Sequence, residues 1–465
     1  MLAFVIMYSQ PALHAESSCD AEIQGLRKQL QDLYNRILVL EAKQASEKQE
    51  LKTVVAQAKK SAIACSSKKP GYFRLPGTES HLKVYGQANL TAMVDMGAVN
   101  AGCKNFLFSP KITLPGDPAY DIKRETRIHA KQSRIGLNFT TPVKILGEHD
   151  LTAVVETDFY GEEKVGSDAT DHTHTTRLRH AYIEVGEVLA GQTWSAFFDP
   201  DSMPEKIDFV GPTGFCQIRD PQIRYTHNLT NGDQVRVALE NPESDYVDVK
   251  GVTHFPTKNA GDFDRWPDLA ASWKRKHNRG YVMLRVILRD IRAAGPIENN
   301  KYKYDKTVVG VGFGVSGAYS FENKDSLFAQ VNVGRGIGRY LTDAYGYAAY
   351  LASDGNLHAQ TAFGGSAGFR HFWTEDIRSS VAVGCTRILN HGDLKGDKYD
   401  KVDRTYANAI NKAFFTFMAN IFWSPRSYQK LSVGLEYIRA IRKVEGSKIK
   451  NGILNRIVLG VQALF

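Results

Sequence analysis

The sequence predicts an all-β fold, a transmembrane antiparallel β-barrel of about sixteen strands preceded by an N-terminal α-helical coiled coil. Its final stretch, Asn451 to Phe465, sets the reading. There Ile453, Ile457, Leu459, Val461, Ala463 and Phe465 alternate with Arg456, Gly460 and Gln462, the period of a strand with one apolar face. The sequence ends on Phe465, so no later element is expected to cover this strand, and an uncovered edge aggregates unless its sheet closes on itself. Alone, the stretch would equally suit an amphipathic edge strand of a soluble β-protein. The decision comes from the connections farther up the chain.

The 465 residues have room for two or three ordinary domains or for one large barrel with an appendage. Mean hydropathy is -0.33, and no apolar run after the N-terminus is long enough for a membrane-spanning helix. A membrane barrel remains open, because its alternating strands give a weak hydropathy signal. The 39 glycines, 21 tyrosines and 23 phenylalanines suit such a wall. Cys19, Cys65, Cys103, Cys216 and Cys385 share no CxxC spacing, which argues against a disulfide scaffold and a metal site but leaves one loop bridge open. A net charge of +9 favours anionic partners; no basic run or nucleic-acid motif points to nucleic acid.

In chain order, Met1 to Ala15 reads as an export signal without its basic start. A periplasmic coiled coil is expected over residues 16–66. Ile23, Leu30, Ile37 and Leu51 occupy heptad position a, and Leu26, Leu33, Leu40 and Val54 position d, a narrow seam that seeks copies of itself. The alternative is an amphipathic helix lying on the protein's own body. Residues 67–80, with Pro70, Gly71, Pro76 and Gly77, read as a linker, and 81–465 as the outer-membrane barrel. Strands are expected from His81 onwards, joined alternately by short turns such as Gly186-Glu187 and Asn231-Gly232 and by long loops such as Gly97 to Gln132, Asp199 to Pro221 and Asn241 to Pro267. Short turns on one side and long loops on the other are what an outer-membrane barrel requires.

Strand parity directs Lys83, Arg134, Arg224, Arg236, Lys274, Arg285, Arg289 and Arg456 into the lumen, against Glu156, Asp158, Glu240 and Glu436. Such a surplus attracts carboxylates; for any single residue an ion pair within the wall is the competing use. The loop Asp199 to Asp220 carries Asp199, Asp201, Glu205 and Asp208. Folded inward, these acids would set a field across the pore; otherwise they are solvated on an ordinary surface loop. His172 and His174 fit a solvated pair better than a metal site. No nucleophile motif, phosphate-cradling loop or zinc spacing occurs, so neither an enzyme nor a cofactor is expected.

The segments GYFRLPGT at Gly71 to Thr78, SRIG at Ser133 to Gly136, ETDF at Glu156 to Phe159 and LRHAY at Leu178 to Tyr182 resemble those of DcaP-like porins. LAGQTWS at Leu189 to Ser195, Gly211-Pro212, RDPQIRY at Arg219 to Tyr225 and terminal Phe465 extend the resemblance. It covers the coiled coil and the first half of the barrel, and the second half by pattern alone. The resemblance implies a homotrimer like the general porins, with the third long loop folded inward opposite an arginine cluster and small anionic solutes such as dicarboxylates as cargo. By position it places Arg134, Gln192, Arg219 and Arg224 on the basic wall, Gln192 standing where general porins often have arginine. In the second half, Gly310, Gly312 and Gly314 face inward and are expected to widen the lumen.

The sequence reading is therefore a passive diffusion channel in the outer membrane of a Gram-negative bacterium, its lumen lined by Arg134, Arg224, Arg285 and Arg289. Two alternatives stand beside it: a sugar-type porin, disfavoured because Phe139, Phe313, Phe369 and Phe465 fall on the outward face, and a structural or adhesive protein tethered to peptidoglycan through the coiled coil. Besides solute, the expected partners are outer-membrane lipid and two further copies of the chain. An outward aromatic closing the last strand serves as an assembly signal in this reading, so deletion of Phe465 is expected to reduce the heat-modifiable folded form on a gel. Normal folding without it would count against the barrel.

Overall fold

Sixteen strands form one closed antiparallel sheet in the computed structural model, which describes residues 11–65, 71–101, 105–145, 147–161, 174–254, 264–295, 297–298, 301–302, 304–394, 409–446 and 451–465. In chain order they are β1 (His81–Gly97), β2 (Arg124–His129 continued by Arg134–Val143), β3 (His149–Asp158), β4 (Arg177–Val185), β5 (Val188–Trp194), β6 (Arg219–Asn228), β7 (Gln234–Glu240) and β8 (Asp268–His277). The second half comprises β9 (Gly280–Ala294), β10 (Asp305–Ser320), β11 (Ser326–Arg335), β12 (Thr361–Phe372), β13 (Ile377–Leu389), β14 (Asn411–Trp423), β15 (Leu431–Val444) and β16 (Gly452–Leu464). Each strand pairs with the next, and β1 pairs with β16 from Gln87↔Leu464 to Gly97↔Leu454. Phe465 prolongs this seam: its N–H donates to Gly86 O and its own carbonyl accepts from Gly86 N–H. The sheet has no free edge, which resolves the hazard that the last strand posed.

Short turns and long loops keep their phase from β1 to β14, the last two connections, 424–430 and 445–451, being of equal length. The outward register is apolar, as Val309, Phe313 and Val315 on β10 and Val331 and Val333 on β11 illustrate by their exposure. Departures from the expected strands are local. β2 is interrupted between His129 and Arg134, where the chain has one more residue than β1 opposite it, a bulge that breaks the alternation. The stretch from His358 divides, Leu357–Ala359 joining a small sheet with Tyr246–Asp248, Thr253–His254 and Ala349–Leu351 drawn from two long loops.

The interior is not an open tube. Loop residues Phe197, Phe198, Phe215, Tyr340, Leu341 and Tyr347 pack against inward side chains of β7–β9 and β12–β14, including Ala238, Ile287, Ile388 and Phe414. A second cluster joins Leu107, Ile112 and Ile207 to Met93, Met418, Ile438, Leu454 and Val458 on β1 and β14–β16. Of β2–β6, only Trp194 touches either cluster among the described residues, at the margin. The lumen is thus filled on one side, and its polar space follows the other. The inward glycines of β10 accordingly do not widen it: a Cβ on Gly312 would stand 2.3 Å from Ile337 Cγ2, so this glycine admits the loop after β11.

The N-terminal unit is a 55-residue helix, α1 (Pro11–Cys65), clustering apart from the barrel unit, Glu79–Phe465. Met1–Gln10 of the expected export segment, residue 66 of the expected coiled coil and residues 67–70 of the expected linker lie outside the described residues. The a and d side chains from Ile23 to Val54 are all exposed, Leu30 at 71 %.

Candidate functional site: the docked loop and the arginine wall

The segment from Ser195 to Ile218, between β5 and β6, lies in the lumen. Its acids are bound to the wall. Asp199 Oδ2 accepts from Tyr281 Oη at 2.9 Å and Ser316 Oγ at 2.6 Å; Asp201 pairs with Lys274 at 2.6 Å; Glu205 takes both ends of the Arg378 guanidinium at 2.6 and 2.7 Å. Asp208 accepts from Arg456 Nη1 at 2.8 Å and from the backbone N–H of Leu107 at 3.0 Å. The backbone is held as well, Glu436 accepting from Ile207 N and Asp208 N and Lys206 Nζ donating to Asp208 O and Phe209 O. Close approach requires glycine on the wall: a Cβ on Gly384 would sit 2.0 Å from Thr213 O, and one on Gly460 2.5 Å from Ile207 Cγ2.

Of the two expectations for this loop the structure shows the inward one, with Asp201, Glu205 and Asp208 paired to wall cations instead of setting an open field across the pore. They are docked on β8–β16 and largely neutralised there, because an unpaired carboxylate in a packed lumen is costly. The wall residues change roles accordingly. Arg289 and Arg285 are only 4 % and 3 % exposed, so neither lines free space. Arg289 pairs with Asp268 at 3.1 Å and Asp245 at 3.5 Å, while Arg285 donates to Phe197 O at 2.7 Å. Parity reads both as inward but cannot show that loops cover them.

On the side without a packed core, guanidinium groups accumulate. Arg134 approaches Glu156 at 3.7 Å. Arg177 and Arg179, on the two sides of Leu178, share Asp158 at 2.7 and 3.0 Å, and Arg179 also reaches Glu156 at 2.6 Å. Arg219, Arg224 and Arg236 have no carboxylate within ion-pair distance among the described residues. Arg219 stacks over Trp194 at 4.9 Å, Arg224 donates to Trp194 O at 3.4 Å and Arg236 to Gln234 Oε1 at 2.8 Å. A cavity of about 370 Å³ opens at the upper end of these short strands, lined by Arg177, Arg219, Gln192, Trp194, Phe106 and Phe209 among others.

Gln192 lies in the outward register of β5, opposite Ala181, and its Nε2 donates to Leu178 O. It borders the cavity rim and is not part of the inward row, which on β5 runs through Leu189, Gly191 and Thr193. The sequence reading passed over Arg177 and Arg179, although RLRH at alternate positions was signal enough, the bulge between Glu156 and Thr157 being what turns both Arg179 and His180 inward. It also missed Arg339, which pairs with Asp220 and Glu243, because loop residues have no parity. Cys216 and Cys385 are free thiols; Cys103 and His172 lie outside the described residues.

A family model described as DcaP outer membrane protein matches residues 46–463. The chain belongs to the DcaP outer membrane protein family. It is an outer-membrane channel of the porin type. The crystal structure of the DcaP channel of Acinetobacter baumannii is similar at a TM-score of 0.66 and 22 % identity, over 83 % of this chain and 97 % of that one. The anion-selective porin of Comamonas acidovorans gives 0.51 and 9 %, over 83 % and 100 %, and Salmonella typhi OmpF 0.50 and 9 %, over 83 % and 98 %. No curated protein sequence matches this chain. The shared fold of this DcaP family member is the sixteen-stranded barrel.

Asp343, in the loop after β11, gives the docked loop a pH-sensitive contact. Burial pushes the Asp343 carboxyl up to about 6, although Gly214 N–H, Thr386 Oγ1, Ser109 and Thr213 donate towards it. The folded state therefore binds this proton more tightly than the unfolded chain, so the contribution is full at low pH and fades as pH rises from about 4 through 6. Protease protection of the loop after β5 is expected to fall over that window, and Asp343→Asn to flatten the profile; an unchanged profile would refute the assignment.

Proposed function

We propose that this channel passes small anions, carboxylates foremost, along the β2–β7 side of the lumen. The observation that carries the reading is the row Arg219, Arg224 and Arg236, guanidinium groups without a carboxylate partner among the described residues, in a lumen whose other described charges are mostly matched. Arg134, Arg177 and Arg179 extend the positive field beside it. A guanidinium fork suits a carboxylate, offering two parallel N–H donors, and a row of fixed cations raises local anion concentration while excluding cations. The anion selectivity named for the Comamonas porin supports the same class of cargo. Dicarboxylates fit a path with several cations in succession.

A neutral sugar is the second reading, favoured by Trp194, Phe106 and Phe209 at the cavity, where aromatic faces could guide a ring. Reversal potentials across a planar bilayer in a salt gradient separate the two. Anion preference is expected for the wild type and is expected to weaken or invert in Arg224→Glu with Arg236→Glu. A wild type without charge preference would favour the sugar, cation preference would overturn the carboxylate reading, and no conductance would favour a structural role.

We also assign the heptad seam of α1 to self-association in the periplasm as a homotrimeric coiled coil, since Ile23, Leu26, Leu30, Leu33, Ile37, Leu40, Leu51 and Val54 form an apolar stripe too narrow for a helix to bury alone. Peptidoglycan tethering is the competing use. Cross-linking of full-length protein and of a variant lacking residues 20–64 tests it: trimer yield is expected to drop without the helix, and equal yields would remove α1 from assembly.

A further inference from the structure

Arg456 occupies an unusual position in this molecule. It is fully buried on β16 and stands directly across the closing seam from Asp95 on β1. Its Nε and Nη2 donate to the two oxygens of Asp95 at 2.6 and 2.8 Å, and its remaining Nη1 donates to Asp208 of the docked loop at 2.8 Å. Asp208 then accepts from Leu107 N, in the loop after β1, and from Val210 N within its own turn. One guanidinium thus joins first strand, last strand and constriction loop.

We infer that Arg456 is a positioning residue that latches the loop after β5 in its narrowing position, and does so only once β1 and β16 have closed. Arg456 and Asp95 come from opposite ends of the barrel, so the site for Asp208 is incomplete until the seam has formed. Before closure Asp208 would approach a guanidinium lacking the carboxylate that orients it. After closure the fork is fixed on Asp95 and presents its free nitrogen to the loop. Neighbouring contacts take the same direction, Ile207 fitting against Gly434 and Gly460 and the Ile207 and Asp208 amides donating to Glu436. The latch therefore sits at the centre of a patch on β15–β16 that anchors the Ile207–Asp208 turn of the loop, while Phe209 beyond it reaches over Arg177 on the other side.

This inference rests on reading the barrel as a channel narrowed by that loop. Two full-length variants test it in planar bilayers. Asp208→Asn removes a negative charge from the lumen and leaves the Arg456–Asp95 seam pair in place; Arg456→Met removes a positive one. If these groups acted only through their charge, the two would move conductance and selectivity in opposite directions. The latch requires both to raise single-channel conductance, by about twofold or more, because breaking one partner of a buried pair shifts the docked balance by well over tenfold. Both should also make the loop cleavable by protease in barrels that remain heat-modifiable, and the double variant should add little to either. Opposite or absent conductance changes in folded barrels would overturn the latch. Should Arg456→Met not fold, Asp208→Asn and Arg456→Lys decide alone: both are expected to open the channel, the second with the positive charge kept, because a single ammonium cannot hold Asp95 by a fork and Asp208 by a third nitrogen. A wild type that conducts nothing would instead sink the channel reading itself.

Discussion

A sixteen-stranded wall encloses more volume than its own inward side chains can fill, and the way this chain fills it governs everything else in the molecule. Loops enter the lumen, chiefly those after β1, β5 and β11, and bring their own apolar side chains. Phe197, Phe215, Tyr340 and Leu341 meet Ile287, Ile388 and Phe414 in a core built like that of a soluble protein. Buried backbone and charge then have to be satisfied within the protein, which is why Asp201, Glu205, Asp208 and Asp245 each end on a wall cation. Packing decides where water is excluded, and the exclusion decides which charges must pair.

Function follows from what remains. Charges under the packed side are spent against one another. On the β2–β7 side the packed clusters reach only Ala238 and Trp194 among the described residues, and there Arg219, Arg224 and Arg236 stand with no carboxylate within ion-pair distance. An inventory of inward charge overstates the field of the second half and misplaces its source. Arg285 and Arg289 hold loops; the first half of the barrel holds the unmatched cations.

The wall was legible in the sequence because its physics is periodic. Alternation in Gly280 to Ile291 and Asn451 to Phe465 and the phase of turns and loops carry the strand number, the closure and the inward parity of Arg134, Arg224, Arg285, Arg289 and Arg456. Loop docking has no period. Nothing local in Asp199 to Asp220 distinguishes acids aimed at Lys274, Arg378 and Arg456 from acids in solvent, since the partners come from β8, β13 and β16, far along the chain. The inward glycines were visible, yet a glycine in a strand marks either open space or a neighbour pressed close, and only coordinates separate Gly312 against Ile337 from a vacant lumen.

The filled lumen has a consequence for the chain before it reaches the membrane. A strand between lipid and an aqueous pore needs one apolar face, whereas β14 needs two: Phe415, Phe417, Ile421 and Trp423 outward, and Phe414, Met418 and Phe422 towards the loops. Unfolded in water, Ala413 to Trp423 is an uncharged run of high β-propensity without proline, the composition that self-associates into stacked strands. Lys412 on one side and Pro425-Arg426 on the other bracket it with a charge and a backbone break, as unavoidable sticky segments are commonly flanked. The packing that narrows the finished channel therefore makes the newly exported chain dependent on being shielded during its passage to the bilayer.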